Sequence, residues 1–305
     1  MNTLQADAKA NHLLEQFCQQ QSLPVRYRTL AERYFLPLAD ELAQARKANT
    51  KTRFIGINGS QGSGKSTLAA LLSSLLTELH GLRVCNLSID DFYHTRTSRS
   101  ELADTHHRLL QTRGVPGTHD IALLQQTLDA LLNGQKQSVD IPRFNKATDD
   151  RHEKNHWDTT STPVDIVFLE GWCVGVEAQT PHDLIKPCND LEKNEDPKGA
   201  WREYVNAAIE HSLKPIFAQF DTLIMLKAPS FDCVFEWRRT QEEKLQQSLP
   251  KGADQSGVMN DEALLRFIQH YQRLTEHMLA TLPSQADIIF TLNQQHDVSD
   301  RINNG

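Results

Sequence analysis

Residues 56–67 read GINGSQGSGKST, and this stretch limits the fold more tightly than the rest of the chain. Its spacing fits G-x-x-x-x-G-K-[ST], with Gly59, Gly64, Lys65 and Ser66 in the required places. The preceding RFIGIN, residues 53–58, is a short apolar run that reads as a buried strand. After it, Leu68, Leu71, Leu72, Leu75, Leu76 and Leu79 fall on one helical stripe, and Gly81 stands where a C-terminal cap belongs. Glycines let such a loop wrap phosphate with successive backbone N–H groups, and the helix N-terminus adds about half a positive charge. The candidate nucleotide-binding residues are therefore Gly59, Ser60, Gly62, Ser63, Gly64, Lys65, Ser66 and Thr67. Lys65 would reach the β- and γ-phosphates and the Ser66 hydroxyl would ligate Mg²⁺. A glycine-rich turn that binds nothing is the bland alternative, and strand, loop and helix in this order argue against it. The motif alone does not separate kinases from GTPases, motors or transporters.

Further along, apolar runs near 84–89, 164–169, 221–226 and 286–291 alternate with helical patterns. Alternation of this kind predicts an α/β fold, a doubly wound and mainly parallel sheet with helices on both faces. The first fifty residues read as a helical preface, residues 1–50, with Tyr27, Leu30, Tyr34, Phe35, Leu38 and Leu42 at helical spacing and Pro37 expected to kink or split the segment. Residues 51–305 would form the nucleotide-binding domain. The polar stretches 147–162, 177–200 and 245–260 read as loops or lids, because their Asp, Asn, Lys, Gly and Pro content does not fill a core.

Charge narrows the partners. With 39 acidic against 32 basic residues and a formal charge of −7, a general nucleic-acid or anionic-membrane partner is disfavoured. No apolar run approaches about 18 residues, so no membrane-spanning helix is expected. Cys18, Cys85, Cys173, Cys188 and Cys233 are odd in number and scattered, which suits small buried hydrophobes better than disulfides or zinc. The first residues, MNTLQADAKANHLLEQFCQQ, lack a basic region followed by an apolar one, so a cytoplasmic protein is expected.

Two acidic segments complete the candidate site. In NLSIDDFYHT, residues 86–95, Asp90 and Asp91 follow a short strand and would project toward the phosphates, where a carboxylate can accept a hydroxyl proton or hold Mg²⁺ through water. Either could instead simply cap the next turn. In VDIVFLEGW, residues 164–172, Glu170 ends a strand buried on both faces and would orient a magnesium-bound water, unless it is a structural ion-pair partner.

These motifs resemble the P-loop small-molecule kinases related to uridine kinase, phosphoribulokinase and pantothenate kinase. RGVPGTHD at 113–120, PRFNKATDDR at 142–151 and EGWCVG at 170–175 are similar to the D-glycerate 3-kinase family of plants and fungi and its bacterial relatives. The resemblance covers about residues 25–292 and implies roles residue by residue. Asp90 becomes the catalytic base and Asp91 a capping or metal-shell group. Arg113 and His119 would face the acceptor pocket. Arg143 and Lys146 would anchor a carboxylate, since a planar guanidinium binds one bidentately. NKAT, residues 145–148, nearly mimics the guanine-reading N-K-x-D motif, but Thr148 stands where that motif needs Asp, so ATP is favoured. In FEWRRTQEEKLQQ, residues 235–247, Arg238 is the first choice for a lid arginine that meets the transferring phosphoryl group, with the lid at about 237–260. His270 and His277, on a helix expected at about 261–281, read as surface residues without metal.

The resulting expectation is an ATP- and Mg²⁺-dependent kinase for a small hydroxy acid, D-glycerate foremost. A nucleoside, a pantothenate-like compound or a sugar is the alternative acceptor. An ATP-binding regulator that docks a partner through residues 1–50 or 177–200 is the alternative class.

Overall fold

The computed structural model describes residues 3–248 and 261–304. Helix α1 (Thr3–Gln20) is followed by α2 (Val25–Leu30) and α3 (Leu36–Ala48), with a π turn at Ala31–Phe35 between the last two. Pro37, which has no N–H to donate, sits in the first turn of α3, and the chain widens just before it: the Leu36 N–H bonds to Ala31 O, five residues back. The expected split at Pro37 thus takes the form of a π turn within a continuous helical rod.

Strand β1 (Arg53–Gly59) leads through the glycine loop into α4 (Lys65–His80), which ends at Gly81 in a left-handed conformation with φ 66°. Then come β2 (Val84–Ser88), α5 (Arg96–Thr105) and α6 (Ile121–Leu132). Two small antiparallel pairs follow, β3 (Ser138–Ile141) with β6 (Asp158–Ser161) and β4 (Phe144–Asn145) with β5 (Asp150–Arg151). The remaining elements are β7 (Ile166–Gly171), α7 (Asp190–Glu195), α8 (Ala200–Ala208), α9 (Lys214–Phe217), β8 (Thr222–Lys227), α10 (Phe231–Ser248), α11 (Asp261–Thr281), β9 (Ile288–Leu292) and β10 (Val298–Asn303).

The main sheet runs β2-β7-β1-β8-β9-β10, parallel except for the antiparallel edge strand β10. Alternate residues of the central strands feed two separate cores. Ile55, Ile57, Ile166 and Phe168 pack with α4 and the N-terminal helices on one face; Phe54, Val167 and Leu169 pack with α6, α8 and α11 on the other. Phe35 meets Phe290 edge-on at 5.3 Å, so the N-terminal layer shares the sheet's own core. Among the described residues no helix is long and apolar enough to cross a membrane.

Three expectations need correction. The 177–200 stretch carries α7 and buries Leu184, Leu191, Glu192 and Asp196. Its charges are buried in pairs, Glu192 with Arg273 at 2.6 Å and Asp196 with Arg202 at 2.9 Å, which composition cannot reveal. Residues 147–162 likewise hold β5 and β6 rather than loop alone. His270 is only 3% exposed, because α7 and Trp201 of α8 cover that face of α11; its Nδ1 lies 3.0 Å from Arg266 O and its ring meets Trp201 edge-on. Of the expected lid and loop, residues 249–260 lie outside the described residues, and 237–248 continue α10.

Candidate active site

In a parallel sheet, groups at the carboxyl ends of the strands converge on one crevice. Here the loop after β1, the turn after β2 and Trp172, just past the end of β7, follow three adjacent strands, and they border one cavity of about 460 Å³. The loop geometry depends on its glycines. Gly64 has φ 89°, and a Cβ at Gly59 would stand 2.4 Å from Ser63 Oγ. Ser66 Oγ donates to Glu170 Oε1 at 2.8 Å, and Lys65 Nζ lies 3.9 Å from Glu170 Oε2. Ser60 Oγ, Ser63 Oγ and Glu170 Oε2 are buried with no hydrogen-bond partner among the described residues, as befits groups that serve a ligand. No cluster of three or more His, Cys, Asp or Glu side chains among the described residues could hold a metal alone. A magnesium ion would fit between Ser66 and Glu170, with the nucleotide and water completing its oxygen shell.

Asp90 lies in the 3₁₀ turn Ile89–Phe92 after β2. Its carboxylate lines the cavity and accepts the Tyr93 hydroxyl at 2.9 Å and Lys146 Nζ at 2.8 Å. Burial pushes the Asp90 carboxyl up, but Lys146, Lys65 and these hydrogen bonds outweigh it and hold it below the usual range. Arg113 and Arg238 also line the cavity, as do Trp172, Phe267 and Tyr271. Arg113 is ion-paired with Asp149, and its guanidinium sits 5.4 Å from the Phe144 ring centroid. Lys65, Arg113, Lys146 and Arg238 therefore surround a single lining carboxylate, Asp90. The cavity is cationic inside a protein of formal charge −7.

The neighbouring acid has a different task. Asp91 accepts Arg143 Nη1 at 2.8 Å and the Phe144 N–H at 3.1 Å, which fastens β4 to the turn after β2. Burial raises its pKa against the pull of those two partners. Asp91, expected as a capping or metal-shell group, thus binds β4 and does not line the cavity. Arg143, expected to hold an acceptor carboxylate, is engaged by Asp91 and by Asp158 at 2.7 Å and does not line the cavity either. His119 also stays out. It is 2% exposed, stacks on Tyr93 at 4.6 Å, and burial lowers its pKa to about 4, so it is a neutral backing for the Tyr93 ring.

Sequence reasoning missed several contributors. Tyr93 and Trp172 stand inside the DDFY and LEGW motifs, while Phe267 and Tyr271 fall at core spacing on α11, which does not mark them as cavity residues. The Trp172 indole donates to Gly114 O at 2.9 Å and the Tyr271 hydroxyl to Arg113 O at 3.2 Å, so both steady the turn that carries Arg113. Arg99, fully buried, reaches His94 O, Gln111 O and Asp149, and no helical period could announce that. Asn145 Oδ1 accepts the Ala147 and Thr148 N–H groups; NKAT is a local turn.

A phosphate loop on β1, carboxylates at the ends of β2 and β7, and a basic cavity in front of them define a P-loop kinase. The phosphoribulokinase/uridine kinase family profile matches residues 54–192. An uncharacterized kinase, mug58, of Schizosaccharomyces pombe is 33% identical over 242 residues, 77% of this chain and 83% of that one. The chloroplastic D-glycerate 3-kinase of Arabidopsis thaliana is 29% identical over 250 residues; the match takes in 76% of this chain and spans half of that enzyme's length. Among solved structures, a D-glycerate 3-kinase from Cryptococcus neoformans superposes with a TM-score of 0.71 at 21% identity, covering 89% of this chain and 98% of that one, and so shares the fold. The chain belongs to the phosphoribulokinase/uridine kinase family, within which it is similar to the D-glycerate 3-kinases.

Proposed function

We propose that this protein is an ATP- and Mg²⁺-dependent kinase that phosphorylates a hydroxyl of a small hydroxy acid, D-glycerate foremost. The observation that carries the reading is Asp90: a carboxylate kept ionised by Lys146 and Lys65, in the same cavity as the phosphate loop and Arg113. The backbone amides of Gly62 to Thr67 and the Lys65 ammonium hold the donor's phosphates. Ser66 and Glu170 would hold magnesium, which would supply positive charge to offset that of the donor's phosphates. Tyr93 and Lys146 fix the Asp90 carboxylate, which accepts the acceptor's O–H. As the new O–P bond forms and the bond to the ADP oxygen breaks, the hydroxyl proton passes to Asp90. Lys65 and Arg238 offset charge on the equatorial oxygens in flight.

Acceptor choice follows from charge and size. Arg113 offers a planar partner for a carboxylate, while Trp172, Phe267 and Tyr271 close the sides with apolar surface that suits a small molecule. A carboxylate on the acceptor would give the Arg113 guanidinium a charged partner that a neutral nucleoside does not offer, which favours the acid over the nucleoside. The named relative in chloroplasts supports the same acceptor. An ADP-release assay against hydroxy acids, nucleosides and sugars tests the proposal. Turnover with D-glycerate above the rest is expected; turnover with nucleosides alone, or ATP binding without transfer to any acceptor, would overturn it.

A further inference from the structure

Asp90 carries a donor on each carboxylate oxygen before any substrate arrives: the Tyr93 hydroxyl on Oδ1 at 2.9 Å and Lys146 Nζ on Oδ2 at 2.8 Å. The two donors are built differently. Tyr93 is 3% exposed, stacks on His119 at 4.6 Å and meets Phe144 edge-on at 5.4 Å, so packing fixes its ring from two directions. Lys146 leaves 64% of its side chain exposed. Its backbone is tied down, because Asn145 Oδ1 accepts the N–H groups of Ala147 and Thr148 and Asp91 accepts that of Phe144. What can move is the flexible four-carbon stem with its ammonium. One donor to Asp90 is held by packing; the other is able to turn away.

A base beside a bound triphosphate has an unwanted acceptor in water. With water in the acceptor's place, a water O–P bond would form, the bond to the ADP oxygen would break and the proton would pass to Asp90, releasing inorganic phosphate. An ammonium hydrogen-bonded to the carboxylate lowers its proton affinity and so weakens it as a base. Water is neutral and does not draw the ammonium from Asp90. A second carboxylate in the same cavity does, because ion pairs of exposed side chains are weak and exchange readily. Arg113 lines that cavity and would bring an acceptor carboxylate into it.

We propose that Lys146 is the residue by which this site discriminates its acceptor from water: paired with Asp90 it holds the base back, and the carboxylate of a bound acceptor draws it away and frees Asp90 to take the hydroxyl proton. The inference rests on the hydroxy-acid kinase reading and adds to it a condition on when transfer begins. Tyr93 keeps the Asp90 carboxylate aimed once Lys146 has turned. A neutral acceptor leaves the pair closed, so the same contact that suppresses hydrolysis also selects for an anionic acceptor.

Phosphate release from MgATP and transfer to D-glycerate, measured on the same samples, test the inference, with propionate as a probe that has the carboxylate but no hydroxyl. In the intact protein, release without acceptor is expected to be slow and to rise about tenfold with propionate, part of the ~10²- to 10⁴-fold that a positioned base supplies. Lys146→Met should release phosphate about tenfold faster than the intact protein, gain nothing from propionate, and transfer to D-glycerate more slowly. A merely structural loss would slow both reactions. Lys146→Arg, which restores the charge, should return release toward the intact level. Propionate without effect on the intact protein, or release and transfer falling together in Lys146→Met, would overturn the inference while transfer to D-glycerate by the intact protein keeps the kinase reading. Transfer by the intact protein to no hydroxy acid would overturn that reading, and this inference with it.

Discussion

The two halves of the main cavity are built differently. On the donor side the functional groups are mainly backbone amides and short side chains between β1 and α4, and their positions follow from glycine dihedrals and one helix terminus. On the proposed acceptor side they are long side chains held by ion pairs across large sequence separations, Lys146 to Asp90 and Arg113 to Asp149, with the Arg143–Asp91 pair behind them. The first kind of site is local in sequence. The second is a network in which each cation must be assigned to a carboxylate before its task is known.

The largest expected effect lies on the donor side. Lys65→Ala removes the only loop ammonium and should drop turnover to the limit of detection, a loss beyond about 10³-fold, with an unchanged far-ultraviolet circular dichroism spectrum. Turnover close to that of the unaltered protein would break the donor half of the comparison.

Next comes Arg113→Ala, which should raise the acceptor KM about 10- to 100-fold, the range for losing a charge-assisted hydrogen bond of ~1.5–3 kcal/mol, while the ATP KM holds. Steady-state kinetics with both substrates varied separates the outcomes. A rise in both constants would move Arg113 out of the acceptor site.

Arg143→Ala sharpens the distinction between lining and supporting cations. It leaves Asp91 without its guanidinium, so the expected cost is about 1–3 kcal/mol of stability, read from a urea midpoint, with only a modest rise in the acceptor KM. An acceptor KM that climbs as steeply as in Arg113→Ala, at unaltered stability, would return Arg143 to the binding role.

The smallest effect on neutral-pH activity belongs to His119. Burial lowers its pKa from 6.5 to about 4, so the unfolded chain takes up the proton first as pH falls. Its contribution to stability is complete above about 6.5 and declines toward pH 4, by about 1.4 kcal/mol per pH unit at the steepest. His119→Phe, which can keep the stack on Tyr93, should flatten that decline in urea midpoints measured between pH 4 and 7. An unchanged slope would show that His119 does not stay neutral in the fold.

The same contrast explains what the sequence disclosed. Five parallel strands, the phosphate loop and helix α11 follow from local periodicity, glycine placement and the ends of apolar runs. Strand β10, VSDRIN, escaped because an exposed edge strand shows little apolar alternation. The buried charges of 177–208 escaped because Glu192 finds Arg273 across 81 positions. On the acceptor side the motif told which residues gather near the site, but only the fold told which of Arg113, Arg143 and Lys146 reach the cavity. Arg143 is the instructive case: its motif places it near the site, and Asp91 and Asp158 engage the guanidinium.

The central claim is that Asp90, and not Asp91, activates the acceptor hydroxyl. The direct measurement is single-turnover transfer of the γ-phosphoryl from radiolabelled ATP to D-glycerate in Asp90→Asn and Asp91→Asn, with ATP affinity measured on the same samples. Asp90→Asn should slow transfer about 10²- to 10⁴-fold with ATP binding intact, and Asp91→Asn should slow it far less. Transfer at the unaltered rate in Asp90→Asn, or a larger loss in Asp91→Asn, would contradict the account.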